Sequence, residues 1–101
     1  MAVATTHEAF SQNLNTKFQL LTPDAGCIEL ELISVSELLT SPRQERFSIF
    51  FRGPQGISLP QAIYEFQHER MGSFELFIVP VNQDGAGIYY EAVFNRIPQA
   101  S

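Results

Sequence analysis

At 101 residues the chain is long enough to bury one modest core and too short for two, so the sequence predicts a single domain over 1–101 with flexible ends at 1–5 and 98–101. Six Lys and Arg against eleven Asp and Glu leave a net charge of −5, which repels phosphate backbones and argues against a nucleic-acid partner. Met1 to Thr6 has neither a basic start nor an apolar segment, no run is long enough to span a bilayer, and the lone Cys27 excludes an internal disulfide; the expectation is synthesis in the cytoplasm without membrane insertion.

In chain order, Thr5 followed by Glu8 has the form of a capping box, and Phe10 and Leu14 recur at helical spacing, which predicts a short helix over 6–13. A first strand follows over 17–21. Thr22-Pro23-Asp24-Ala25-Gly26 then reads as a tight turn, with Pro fixing one φ and Gly26 free to take a positive one. The next strand starts near Cys27. Its apolar phase runs Ile28, Leu30, Leu32 and then shifts to Ile33 and Val35, the mark of a β-bulge.

The stretch 36–46 holds Ser, Pro42 and several charges and reads as an exposed loop, pinned by Leu38 and Leu39. Further strands are predicted over 47–52, 63–67, 74–79 and 88–94. Between them, Gly53-Pro54-Gln55-Gly56 suits a type I turn, Pro60 suits a strand entrance, Arg70-Met71-Gly72 is a break, and 82–87 forms a flexible hairpin tip. The predicted fold is mainly β, a small antiparallel barrel or folded-over sheet of about six strands with one short N-terminal helix, since closure removes exposed edges.

Three strands are apolar at consecutive positions: Ile49-Phe50-Phe51, Leu76-Phe77-Ile78-Val79 and Ala92-Val93-Phe94. A half-exposed antiparallel strand needs one apolar face, so a second apolar face needs a cover. With Phe47, Ile49 and Phe51 inward, Phe50 points out, and the same reasoning nominates Phe77, Val79 and Tyr90 or Ala92 as an interaction surface. A contiguous patch of this kind predicts a protein partner, including a homo-oligomer.

Candidate chemistry is sparse. Glu65, Glu75 and Glu91 lie on three successive strands and could form an acid/base pair, although a solvated face paired with Arg52, Arg70 or Arg96 explains them as well. His7 and His68 have no second ligand at zinc spacing, Cys27 has no neighbouring base, and the Gly53 and Gly56 pair is not followed by Lys-Ser or Lys-Thr, so no metal, no cofactor and no catalytic residue is expected. His68, closing a strand beside a turn, reads as a hydrogen-bonded polar residue.

The runs Phe47-Ser48-Ile49-Phe50-Phe51-Arg52-Gly53-Pro54, Leu59-Pro60-Gln61-Ala62-Ile63-Tyr64, Leu76-Phe77-Ile78-Val79-Pro80 and Tyr90-Glu91-Ala92-Val93-Phe94-Asn95, preceded by Thr6-His7-Glu8-Ala9-Phe10, resemble a family of small bacterial domains of unknown function. Genes for such domains accompany those of phage-tail-collar-like or microcystin-dependent-type fibre proteins. The resemblance supplies no site residues to carry over. It implies a role in assembling or accompanying a fibre or tail-like structure, with incorporation into an extracellular assembly. The expected function is a non-enzymatic interaction or assembly module; the alternative is a small-ligand barrel or an enzyme using Glu65, Glu75 and Glu91.

Overall fold

The computed structural model describes residues 5–22 and 26–96. It contains α1 (His7–Gln12), β1 (Lys17–Thr22), β2 (Gly26–Val35), β3 (Leu39–Ser41), β4 (Gln44–Gly53), β5 (Ala62–His68), β6 (Gly72–Asp84) and β7 (Gly87–Arg96). Hydrogen-bonded neighbours run β2-β1-β5-β6-β7-β4-β3, and an additional β2–β4 ladder joins the ends of that series into a closed six-stranded antiparallel barrel with β3 outside it. The predicted bulge is what allows the closure. Between β2 and β4 the register shifts from Leu32↔Phe51 to Ser34↔Phe50, so one residue of β2, Ile33, is left over and the strand bends round.

The inward set follows from strict alternation. Phe18 and Leu20 on β1, Leu30 and Leu32 on β2, Ile49 and Phe51 on β4, Phe66 on β5, Ile78 on β6 and Tyr90 on β7 are all 0 % exposed. A barrel of this strand number is just wide enough to be filled by its own side chains, and here it is.

Each end has its own stopper. At one end α1 is capped by Thr6, whose Oγ1 accepts a hydrogen bond from Ala9 N at 3.1 Å. The cap therefore sits at Thr6 rather than Thr5, which puts Ala9 in the third helical position and removes the expected capping box. The single buried residue of α1, Phe10, sits with its ring centroid 5.4 Å from Phe94, 5.9 Å from Phe74 and 6.4 Å from both Phe18 and Phe47. Two polar tethers hold it there: His7 Nε2 donates to Ser36 O at 2.7 Å, and Arg96 donates to Thr5 O at 2.7 Å while its guanidinium lies 5.0 Å from the Phe94 ring. At the opposite end Leu59, 5 % exposed, closes the barrel, and its N–H donates to the Tyr90 hydroxyl at 3.1 Å.

β6 changes partner along its length. Residues 72–78 pair with β5, and residues 79–84 pair with β7 starting at Val79↔Glu91. Beyond that point the β6–β7 ladder stops, and the Phe10 ring lies between Phe74 of β6 and Phe94 of β7. Without the helix the core would open along this seam.

Several local expectations change. The predicted loop 36–46 contains β3, a short strand folded back on the start of β4 through Leu39↔Arg46; Leu38 packs on the core while Leu39 stays exposed. The predicted tip 82–87 is shorter, because β6 continues to Asp84 and only Gly85-Ala86 turns, with Ala86 N donating to Asp84 Oδ1 at 2.8 Å. The turn after β4 is centred on Gln55-Gly56, and Gly56 has φ +86°, which a type II turn requires at its third position and a type I turn does not. Gly26 has φ +74°, as its turn requires, whereas Pro23, Asp24 and Ala25 lie outside the described residues, as do 1–4 and 97–101 of the expected flexible ends.

Two glycines mark a close approach of backbones. A Cβ on Gly87 would stand 2.2 Å from Gly53 O, and one on Gly53 would stand 2.6 Å from Leu30 Cδ2. Gly87→Ala should therefore cost more than about 1 kcal/mol. Phe10→Ala should cost about 3–5 kcal/mol, because it removes a fully buried ring from the seam, whereas Phe77→Ser on the outer surface should cost under about 1 kcal/mol. Equilibrium urea unfolding of the three variants measures all three values.

Candidate functional site

With the interior filled, the residues available to a partner are those of the outer surface. Parity decides which they are. Phe51↔Tyr90, Ile49↔Ala92 and Phe47↔Phe94 are directly opposed across β4 and β7, so they share a face, and that face is the core. Tyr90 is accordingly fully buried, with its hydroxyl donating to Ile57 O at 3.4 Å, and it is not part of an interaction surface. Ala92 is buried too. The outward residues of β7 are Tyr89, Glu91, Val93 and Asn95, and Val93 is 58 % exposed.

Phe50, Phe77 and Val79 do point outward. Phe77 is 52 % exposed, whereas Phe50 and Val79 are half-buried. Phe77 is directly opposed by Ile63 of β5, which is 65 % exposed, so the two form an apolar cross-strand pair facing solvent. Across the barrel wall the row continues from Val79 to Glu91 to Phe50, each directly opposed to the next. The surface thus runs over β5, β6, β7 and β4 as Ile63, Phe77, Val79 and Phe50, with Val93 beside them. Ile63 and Val93 are additions to the sequence reading. Their signal was the parity set by Phe66 and Phe94, which the consecutive apolar runs obscured.

Glu65 and Glu75 are brought together, directly opposed across β5 and β6, one alternation along from Ile63↔Phe77. Both are exposed on the convex outer wall. Neither they nor Glu91 has a cation partner among the described residues: Arg52 pairs instead with Glu31 at 2.9 Å, and Arg96 turns to Thr5 and the Phe47 and Phe94 rings. The expected pairing with Arg52, Arg70 or Arg96 is therefore replaced by an uncompensated acidic strip. Carboxylate catalysis needs a concave site that holds a substrate between the two groups, and these two stand side by side on a convex sheet. The shallow grooves lined by Lys17, Gln19, Gln67, His68 and Glu69, and by Arg43, Gln44, Asn95 and Arg96, lie elsewhere.

The sequence from Thr5 to Phe94 matches the family model of a domain of unknown function, DUF6916. The chain belongs to this family. No curated protein and no solved structure matches it. The matched residues 5–94 take in α1, all of β1 to β6 and most of β7, so the helix that closes the barrel is part of the family's domain along with the strands.

The two histidines have structural positions. His7 carries its proton on Nε2, which donates to the Ser36 carbonyl, and its ring meets Phe47 edge-on at 5.2 Å. His68, 8 % exposed, lies against Phe18 with ring centroids 4.2 Å apart and planes tilted by 37°. Its Nδ1 accepts from Arg70 N at 3.0 Å and Met71 N at 3.2 Å, so the proton belongs on Nε2, which faces Thr16 Oγ1 at 2.8 Å. Cys27 is exposed and donates to Gln19 Oε1. Among the described residues no group of three His, Cys, Asp or Glu is placed to hold a metal ion.

His68 predicts a pH dependence. Burial, followed by the nearby Arg70 charge and partly offset by Glu69, lowers its pKa below the ordinary 6.5. Protonation would also turn the Nδ1 acceptor into a donor facing two N–H groups. The unfolded chain therefore binds the proton more readily, and the contribution of neutral His68 is complete above about pH 6.5 and is lost as the pH falls through that value. Thermal melts from pH 7.5 to 5 should show falling stability, and the part of that fall due to this residue should vanish in His68→Gln.

Proposed function

We propose that this domain is a non-enzymatic protein-interaction module that docks a partner on the outer face of β5, β6, β7 and β4. The observation that carries this reading is the solvent-facing pair Ile63 and Phe77, 65 % and 52 % exposed and directly opposed, continued by Val79, Phe50 and Val93. Single exposed apolar residues are ordinary on a protein surface; a connected set on one sheet face marks a contact surface.

The filled interior supports the same reading, because a ligand in the barrel would have to displace Phe51, Phe66, Ile78 and Tyr90, all 0 % exposed. The resemblance to domains that accompany fibre proteins makes a fibre or tail-like protein the first partner to try, as an assembly or accessory factor.

The test is capture from an extract of the source cell by the immobilised chain and by the double variant Ile63→Ser/Phe77→Ser. The prediction is a stoichiometric protein retained by the natural chain and reduced at least about tenfold with the variant, whose circular dichroism stays unchanged. Equal retention by both would contradict docking on this face.

A further inference from the structure

We infer that the occupant of this face is an extended segment of another protein in which an apolar residue is followed two positions on by Lys or Arg, so that both project from one side of the segment. This deepens the docking proposal and rests on it. Its basis is the charge of the face together with its spacing.

β5 and β6 contain no Lys or Arg at any position, and the one cation of β7, Arg96, is turned onto the Phe47 and Phe94 rings at the barrel end. Four carboxylates lie exposed or half-buried on these strands: Asp84, at the end of β6, accepts from the Tyr89 hydroxyl at 2.8 Å, while Glu65, Glu75 and Glu91 have no ion-pair partner among the described residues. Glu65 and Glu75 are also directly opposed, an arrangement that costs sheet stability. The opposite side of the barrel is built differently. There Lys17 lies 3.8 Å from both Glu29 and Glu31, and Glu31 bonds Arg52, so each strand supplies the countercharge for its neighbour. The missing countercharge on β5 to β7 is what a basic partner would bring.

A second copy of this chain would not bring it. A two-fold contact places the same patch on both sides, and this patch would set Glu65, Glu75 and Glu91 against another set of carboxylates with no Lys or Arg from β5 or β6 to meet them. The spacing favours an extended segment. Ile63↔Phe77 and Glu65↔Glu75 are two residues apart along each strand, a step of roughly 6.8 Å, which is the distance between side chains on one face of an extended chain. An apolar residue seated on Ile63 and Phe77 thus places the next same-face residue over the two carboxylates.

The test uses labelled seven-residue peptides with Ser at the odd positions, Val at positions 2 and 6, and Lys, Glu or Ser at position 4, so that the varied residue shares a face with the two Val, titrated by fluorescence anisotropy. The Val/Lys peptide should bind the natural chain at least tenfold tighter than the Val/Glu peptide. Glu65→Gln/Glu75→Gln should weaken Val/Lys binding at least tenfold, while Glu8→Gln/Glu37→Gln, an equal charge change at exposed positions off the face, should alter it less than twofold. Equal weakening by both pairs would mean net charge alone and would overturn the inference. Binding of Val/Ser that Phe77→Ser abolishes and Glu65→Gln/Glu75→Gln leaves intact would overturn the basic partner and keep the docking face. Val/Lys binding that Ile63→Ser/Phe77→Ser leaves intact, or no binding of any peptide, would count against the face itself. Sedimentation equilibrium adds one arm: a dimer abolished by Phe77→Ser would replace the basic partner with a second copy.

Discussion

Closure of the barrel through the β2–β4 ladder is the constraint from which the other features follow. Six strands can close only if one of them bends enough to bring the last edge back to the first, and β2 does so at Ile33, between Leu32↔Phe51 and Ser34↔Phe50. Once closed, the wall has one side facing a lumen that side chains fill, and Phe10 and Leu59 seal the two ends. The inside is then committed to stability. Whatever the domain recognises, it recognises on the outer wall or at the loops.

The outer wall is not uniform. Around Lys17, Glu29, Glu31 and Arg52 it has complementary neighbours, as expected of a surface that meets only water. Over β5 to β7 it has an exposed apolar pair and a pair of opposed carboxylates, two features that each cost something in an isolated domain. Local conflict with an otherwise consistent fold is where function is expected to reside. The partner proposed above would relieve the two costs together, since apolar contact and countercharge can come from the same extended segment.

Much of this was legible in the amino-acid order. The 2-residue alternation of Ile28, Leu30 and Leu32, its break at Ile33, and the Gly and Pro punctuation were enough for a small barrel with a helix at its start. Three things were not. β3 was hidden because it is only three residues long and runs straight into Pro42, and it forms a strand only by pairing with Arg46, Glu45 and Gln44. The length of β6 was hidden because Pro80 reads as a stop, yet it sits where the strand passes from β5 to β7 and a lost N–H is tolerated near the bulge between Pro80 and Asn82. The parity of β7 was hidden because Tyr89-Tyr90 and Ala92-Val93 are apolar in both phases, and only the register with β4 places Tyr90 inside and Val93 outside.

Docking on one outer face, as proposed, with nothing entering the lumen is tested most directly by amide chemical-shift mapping of the 15N-labelled chain with the Val/Lys peptide. Docking there predicts shifts concentrated at Ile63, Glu65, Glu75, Phe77, Val79 and Glu91, with Leu20, Ile49 and Phe51 unmoved. Shifts centred on those lumen residues, or on the groove of Arg43, Gln44, Asn95 and Arg96, would contradict it.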